Sequence, residues 1–183
     1  MTLEFSVDPA LTVGLREEIL DCWTEVSQAG GAVGFVPPVT RADIAPAAGQ
    51  AYAGVDDGRD RLIVGRTIGG PTPGRLAALA FLVDGQHGLS RHWRSVKRVM
   101  VHPDFQGLGY GAELMAAVER LGRSMGLEML HLDCRSGTGV DLFYKRCGYA
   151  EWGRFPRALR VAEDDYRELI NLCLQLQTPV DSR

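Results

Sequence analysis

The stretch "RVMVHPDFQGLGYGAELMAAVERL", Arg98 to Leu121, joins an apolar run to a patterned helix through three glycines at alternate positions, Gly107, Gly109 and Gly111. No other feature constrains the fold so tightly. If the strand expected over Val96 to Val101 and the one expected over Glu128 to Asp133 run parallel, the link is a right-handed crossover, and the helix start at Ala112 lies at the carboxyl end of the first strand. A helix start carries unpaired amide hydrogens and partial positive charge, which attract phosphate. The three glycines put no side chain between an anion and those amides, and they accept the dihedrals such a loop needs. The loop reads as an anion cradle, although a glycine-rich turn can also serve only to redirect the chain. Gly107, Gly109 and Ala112 also fit a dinucleotide-binding G-x-G-x-x-A, with Asp133 a little over 20 residues on, where a ribose-binding acid would sit. Two things weigh against that second reading. "HPDFQ" inserts a proline-containing arm between strand and glycines, and the strand-helix alternation needed for a doubly wound sheet is missing.

The rest of the chain supplies an α/β order around this unit. "LEFSV" from Leu3 alternates as a short strand, and from Leu11 the residues Leu15, Ile19, Cys22, Trp23 and Val26 draw one helical face, ended by "QAGGAVGF". Thr40 is placed to cap a second helix through about Ala53, which Pro46 should kink or shorten. After a turn at Asp56 to Asp60, "RLIVGRTI" and "RLAALAFLV" form a hairpin across "GGPTPG", and "WRSVKRVMV" is the next strand. Leu114, Ala117, Val118, Leu121 and Met125 mark the buried face of the helix after the glycines. "LEMLHLD" is a strand, Val140 to Arg146 a short helix, and "YAEWG" and "YRELINLCLQL" a final pair of strands. With neither repeats nor an obvious linker, 183 residues of 45% hydrophobic content suit one domain, 1–183.

Composition narrows the function. A net charge of −3 and a pI near 5.8 argue against nucleic acid as a partner. Without a membrane-length apolar run or a signal-like start, the expectation is a cytoplasmic protein with no membrane partner. Cys22, Cys134, Cys147 and Cys173 show no paired metal-ligand spacing, so they are expected to be reduced thiols, and no metal is expected.

Val99-Met100-Val101-His102-Pro103, then Gln106-Gly107-Leu108-Gly109-Tyr110-Gly111, and later Phe143-Tyr144 with Gly148-Tyr149, resemble the GNAT superfamily of acetyl-CoA-dependent N-acetyltransferases. Gln106, Gly109 and Gly111 complete its Q/R-x-x-G-x-G/A signature, and the likeness covers nearly the whole chain. Within the superfamily, "AGGAVGF" and "MLHLD" are similar to the tabtoxin-resistance type, which implies an antibiotic-resistance role. The resemblance implies a mixed, mostly antiparallel sheet with splayed central parallel strands and flanking helices. It also implies acetyl-CoA as acetyl donor. Amides from Gln106 to Ala112, spanning Gly107, Leu108, Gly109, Tyr110 and Gly111, would hold the pyrophosphate. The segment Val99, Met100 and Val101 would take the pantetheine arm through the backbone of its two valines, and Tyr144 would lie near the thioester sulfur. An asparagine often found seven residues before that tyrosine is Gly137 here.

The resemblance implies a reaction that moves acetyl to a primary amine of a small amino-acid-like metabolite or antibiotic, by direct attack in a ternary complex that uses no cysteine. Asp133 is the first candidate to receive the proton through water or to orient the ammonium, with a cap or loop anchor as its plain alternative. Glu25 is the second carboxylate, although one that ends a helix is more often only solvated. His131 and His102 could serve as bases, but single histidines on strands are more often structural. In "RHWRSVKR", Arg94 or Lys97 with Trp93 could recognise a carboxylate of the acceptor or a phosphate of the cofactor, or the strand face could simply be wet. Protein amines as acceptors, a homodimer, and a non-catalytic acyl-CoA sensor stay open at this point.

Overall fold

The computed structural model describes residues 2–176, so the outermost ends of the expected domain, 1 and 177–183, lie outside the described residues. The chain forms a mixed α/β fold of antiparallel sheet and flanking helices that divides into two compact units. Residues 2–83 and 96–118 make the first, and residues 84–95 and 119–176 the second.

The first unit begins with strand β1 (Thr2–Val7) and helices α1 (Val13–Gln28) and α2 (Arg41–Asp56). Thr12 caps α1 by accepting from the Leu15 amide at 3.2 Å, and Thr40 and Asp43 form a reciprocal capping box on α2. The second helix continues to Asp56 instead of being shortened by Pro46. The proline falls in its second turn, where the missing N–H costs a single bond to the preceding turn. Strands β2 (Arg61–Ile68) and β3 (Leu76–Val83) form the expected hairpin, and β1 pairs antiparallel along β2. The strand order in this unit is β1-β2-β3, continued by the latter part of β4 (Trp93–Val101). Ile19, Cys22 and Trp23 of α1 and Ile44 and Tyr52 of α2 pack with Leu79, Phe81 and Met100 in one core. Truncating a fully buried member such as Ile19 to alanine should cost about 2–5 kcal/mol.

In the second unit β4 starts by pairing in parallel with β5 (Met129–Arg135), over Trp93–Ser95 against Met129–His131. On its other side β5 pairs antiparallel with β7 (Tyr166–Gln175), which pairs in turn with edge strand β6 (Ala150–Arg160). For the first strand of this final pair the sequence marked only Tyr149 to Gly153, and β6 runs further. Pro156 and Arg157, the latter at φ 55°, are absorbed where the register shifts between Phe155 and Leu159. An edge strand can carry a proline because its outward backbone positions need no partner.

Candidate active site

In the first unit, helix α3 (Tyr110–Ser124) starts two residues before the expected Ala112. His102 caps a 3-10 turn over Pro103–Phe105, and the rings of Phe105 and Tyr110, 6.4 Å apart, are buried with Ala77 against Val101. Residues 106–109 are thus anchored at both ends by aromatic side chains. Gly107 and Gly109 lie at φ +77° and +86°, and a Cβ built on either meets nothing within 4 Å. The backbone conformation demands glycine here, and the space beside it is open. The Gln106 side chain donates from Nε2 to the Val101 carbonyl at 3.0 Å, stitching the loop back to β4. The same carbonyl keeps a second lone pair, and the Val101 backbone is among the groups expected to serve a pantetheine arm. At the two ends of the expected cradle, the Gln106 amide donates to Pro103 at 3.3 Å and the Ala112 amide to Gly109 at 3.0 Å. An anion would draw on the amides between them. Leu108 is exposed, while Met100 is fully buried in the core.

Glu25 is not merely solvated, because its carboxylate accepts a hydrogen bond from His102 Nε2 at 2.9 Å. The tautomer follows from the other ring nitrogen, which accepts from the Asp104 amide at 3.2 Å. With Nε2 protonated, the Arg75 guanidinium 3.4 Å away makes no hydrogen bond to it. His102 is therefore a cap and a tether. The first unit also holds a pocket of about 300 Å³ lined by residues that include Trp23, Gln50, Asp60, Phe81, Lys97 and Arg98.

The second unit carries the candidate side chains Asp133, His131, Trp93, Arg94 and Tyr144. Along β5, Leu130, Leu132 and Cys134 are buried, which puts His131 and Asp133 together on the opposite face. Asp133 stands opposite Asn171 of β7. His131 lies 3.4 Å from both Ser95 Oγ and Asn171 Oδ1, with its ring centroid 5.8 Å from that of Trp93 and 6.1 Å from that of the exposed Trp152. Trp93 thus belongs with His131. Arg94 is bound to Asp84 at 2.8 Å and to the Trp93 carbonyl at 3.1 Å, which leaves it a scaffold contact at the start of β4.

Helix α4 (Val140–Arg146) matches its expected span and buries Tyr144, whose ring lies 5.2 Å from Phe143 and 6.1 Å from Tyr149. Burial pushes the Tyr144 hydroxyl well above the ordinary phenol range, with Cys134, Cys147 and Asp133 adding to the shift. Tyr149 is also buried, and its hydroxyl has no hydrogen-bond partner among the described residues. Nothing in the sequence marks that hydroxyl beyond the Gly-Tyr pair. Gly137 has its own explanation: at φ +82°, a Cβ there would stand 2.4 Å from Arg167 Nη1, so a guanidinium fills the space an asparagine would need. Burial raises the Cys134 thiol to about 11 and the Cys22 thiol to about 12, and raises Cys147 as well. Such thiols are poor nucleophiles at neutral pH.

Among the described residues, no three His, Cys, Asp or Glu side chains are grouped to hold a metal ion, and no helix is long and apolar enough to cross a membrane. The antiparallel β5–β7 pairing and the Pro103–Phe105 arm replace the further parallel strands and immediate turn of a dinucleotide fold. Residues 15–149 match the acetyltransferase (GNAT) family model. Among solved structures, the chain is similar to a candidate phosphinothricin N-acetyltransferase, with 17% identity over 96% of this chain and 100% of that one, at a TM-score of 0.75. It is similar to yncA, a candidate acetyltransferase from Salmonella typhimurium solved with its cofactor acetyl-CoA, at 16% identity, coverages of 97% and 96%, and a TM-score of 0.75. A ribosomal-protein-alanine N-acetyltransferase from Brucella melitensis matches at 14% identity, coverages of 96% and 100%, and a TM-score of 0.74. At these identities the structural matches speak to the fold, and the family match covers most of the chain. The chain belongs to the acetyltransferase (GNAT) family, and that family match identifies it as an acetyl-CoA-dependent N-acetyltransferase.

Proposed function

We propose that the chain, as one domain over 1–183, acetylates a primary amine on a small amino-acid-like metabolite or antibiotic, by direct attack in a ternary complex. The observation that carries the small acceptor is the pocket of about 300 Å³, a ligand-sized space whose walls mix apolar Trp23, Phe81 and Val83 with polar Gln50, Asp60, Lys97 and Arg98. The likeness to a candidate phosphinothricin N-acetyltransferase supports the same reading. In this account the amides within residues 106–112 hold the pyrophosphate of acetyl-CoA, and the backbone of Val99 and Val101 takes the pantetheine arm.

An amine of pKa about 9 is only about one per cent neutral at pH 7, a penalty of roughly 2.7 kcal/mol that the site must offset. Asp133 is assigned to this task, receiving the proton through water or orienting the ammonium, and Glu25, steadied by His102, is the second carboxylate. Tyr144 hydrogen-bonds to the departing sulfur. A thiol pKa of about 8.5 already lies below that of ordinary tyrosine, roughly 10, and burial widens the gap. Charge stabilisation is therefore its role, in place of full proton donation. The raised thiol pKa values support a route with no acyl-cysteine intermediate.

The test is release of free coenzyme A thiol from acetyl-CoA, with and without a panel of amino-acid-like antibiotics, polyamines and short peptides. Release that depends on an amino-acid-like amine is expected. Release that depends only on peptides would move the acceptor to protein amines.

A further inference from the structure

Helix α4 is too short to fix the direction of Tyr144 by itself. It has seven residues, it starts from Gly139 at φ +73°, and no side chain caps that start. Helices of this length are marginal on their own, so the orientation of the Tyr144 ring must come from packing beyond the helix. That packing is found at its other end.

The chain leaves α4 through a Schellman motif. Gly148 takes φ +88°, its amide donates to the Lys145 carbonyl at 3.1 Å, and the Tyr149 amide donates to the Tyr144 carbonyl, also at 3.1 Å. The next residue, Ala150, begins β6 and stands in register with Cys173 of β7. Tyr149 is therefore held by the helix end on one side and by the sheet on the other. Lys145 reinforces the junction, reaching from α4 to Glu151 of β6 at 2.8 Å. From this fixed point the Tyr149 side chain is buried, and its ring lies 6.1 Å from that of Tyr144 at an interplanar angle of 59°. Phe143 adds a second ring contact at 5.2 Å, but it belongs to the same short helix and moves with it. Of the two rings, only Tyr149 brings Tyr144 a support from outside α4.

The Tyr149 hydroxyl adds nothing to this brace. It is buried without a hydrogen-bond partner among the described residues. Burial, with smaller contributions from Tyr144, Cys147 and Glu119, pushes it well above the ordinary phenol range, so it stays neutral and brings no charge to the site. What Tyr149 offers Tyr144 is its ring and its anchored backbone.

Resting on the role proposed for Tyr144 above, we infer that Tyr149 is a positioning residue whose ring, anchored at the α4–β6 junction, holds the Tyr144 phenol where it can hydrogen-bond to the departing sulfur. Tyr149 acts through Tyr144 and moves no proton. A misplacement of about 1 Å can cost a reaction about 10²-fold, so a brace of this kind bears on turnover.

The test compares Tyr149→Phe, which keeps the ring, with Tyr149→Leu and Tyr149→Met, which fill the space without one, in the whole protein. The first readout needs no acceptor. In ¹³Cζ-tyrosine-labelled protein titrated with coenzyme A, the Tyr144 signal, identified by its loss in Tyr144→Phe, should shift equally in the unmodified protein and in Tyr149→Phe, and by a smaller amount in Tyr149→Leu and Tyr149→Met. The second is kcat with the amine of the panel above that gives the fastest thiol release. It should fall about tenfold in Tyr149→Leu and Tyr149→Met, with the acetyl-CoA KM within about twofold, and Tyr149→Phe should restore it. On top of Tyr144→Phe, Tyr149→Leu should cost less than about twofold, because the phenol it positions is already gone. Equal signal shifts in all variants, unchanged kcat in Tyr149→Leu and Tyr149→Met, equal losses in Tyr149→Phe and Tyr149→Leu, or a loss of about tenfold on top of Tyr144→Phe would each overturn the inference and leave Tyr144 in its role. Coenzyme A that bound without moving the Tyr144 signal, together with full turnover in Tyr144→Phe, would instead remove the role of Tyr144 and the inference with it.

Discussion

The segment from β4 into α3 and the segment from β5 into α4 carry two kinds of chemistry built in opposite ways. In the first the proposed working groups are backbone amides, beside Gly107 and Gly109 in left-handed conformations and buried Phe105 and Tyr110. In the second the proposed groups are the side chains of Asp133 and Tyr144, the latter buried, with its hydroxyl pKa raised by that burial. Backbone chemistry is sensitive to shape and indifferent to most side chains. Side-chain chemistry is sensitive to single atoms.

That contrast can be broken by substitution, and the largest effect belongs to the backbone. Gly109→Val places a β-branched residue at φ +86°, a strain on the order of 1–3 kcal/mol that the loop escapes only by changing shape. The value of kcat/KM for acetyl-CoA should fall about 10²-fold through KM, measured by varying the donor. Tyr144→Phe removes one hydrogen bond to the developing thiolate, so kcat should drop about 10²-fold or less while acetyl-CoA affinity is kept. Unchanged turnover would take Tyr144 out of the mechanism. Thr40→Ala, which removes the capping box of α2, should lower stability by about 1 kcal/mol, visible in urea unfolding and absent from the kinetics. Smallest of all, Cys134→Ala and Cys147→Ala should leave kcat within about twofold, and a larger loss would point to an acyl-cysteine intermediate.

A pH effect sharpens the contrast between chemistry and scaffold. Arg154 and Lys145 lower the Glu151 carboxyl to about 2 through side-chain hydrogen bonds. Its folded pKa lies below the unfolded value of about 4.3, so the stabilisation is present above that value and is lost as pH falls through about 2. Acid melting curves of the unmodified protein and Glu151→Gln should therefore separate above pH about 4.3 and converge below about 2.

The same contrast decides what the sequence makes legible. Glycines that must take positive φ announce themselves by spacing, so the loop and its helix could be read directly, with only the helix start misplaced by two residues. The short helix Val140–Arg146 could be read from its pattern to the residue. The far end of β6 could not, because Pro156 hides in a register shift that only pairing with β7 reveals. Arg98 was hidden for a similar reason. Within "RHWRSVKR" four cations look alike, and only the fold shows one paired to Asp84 and another stacked on Trp23 over a pocket. Glu25 looked like a solvated helix end until His102, far along the chain, came within 2.9 Å of it.

The most direct test of the central claim, that the glycine loop after β4 is an acetyl-CoA cradle, is calorimetric titration of the unmodified protein and Gly109→Val with acetyl-CoA and with NAD. The account predicts saturable acetyl-CoA binding that Gly109→Val weakens about 10²-fold, and no binding of the dinucleotide. Binding of NAD in preference to acetyl-CoA, or acetyl-CoA affinity indifferent to Gly109→Val, would contradict it.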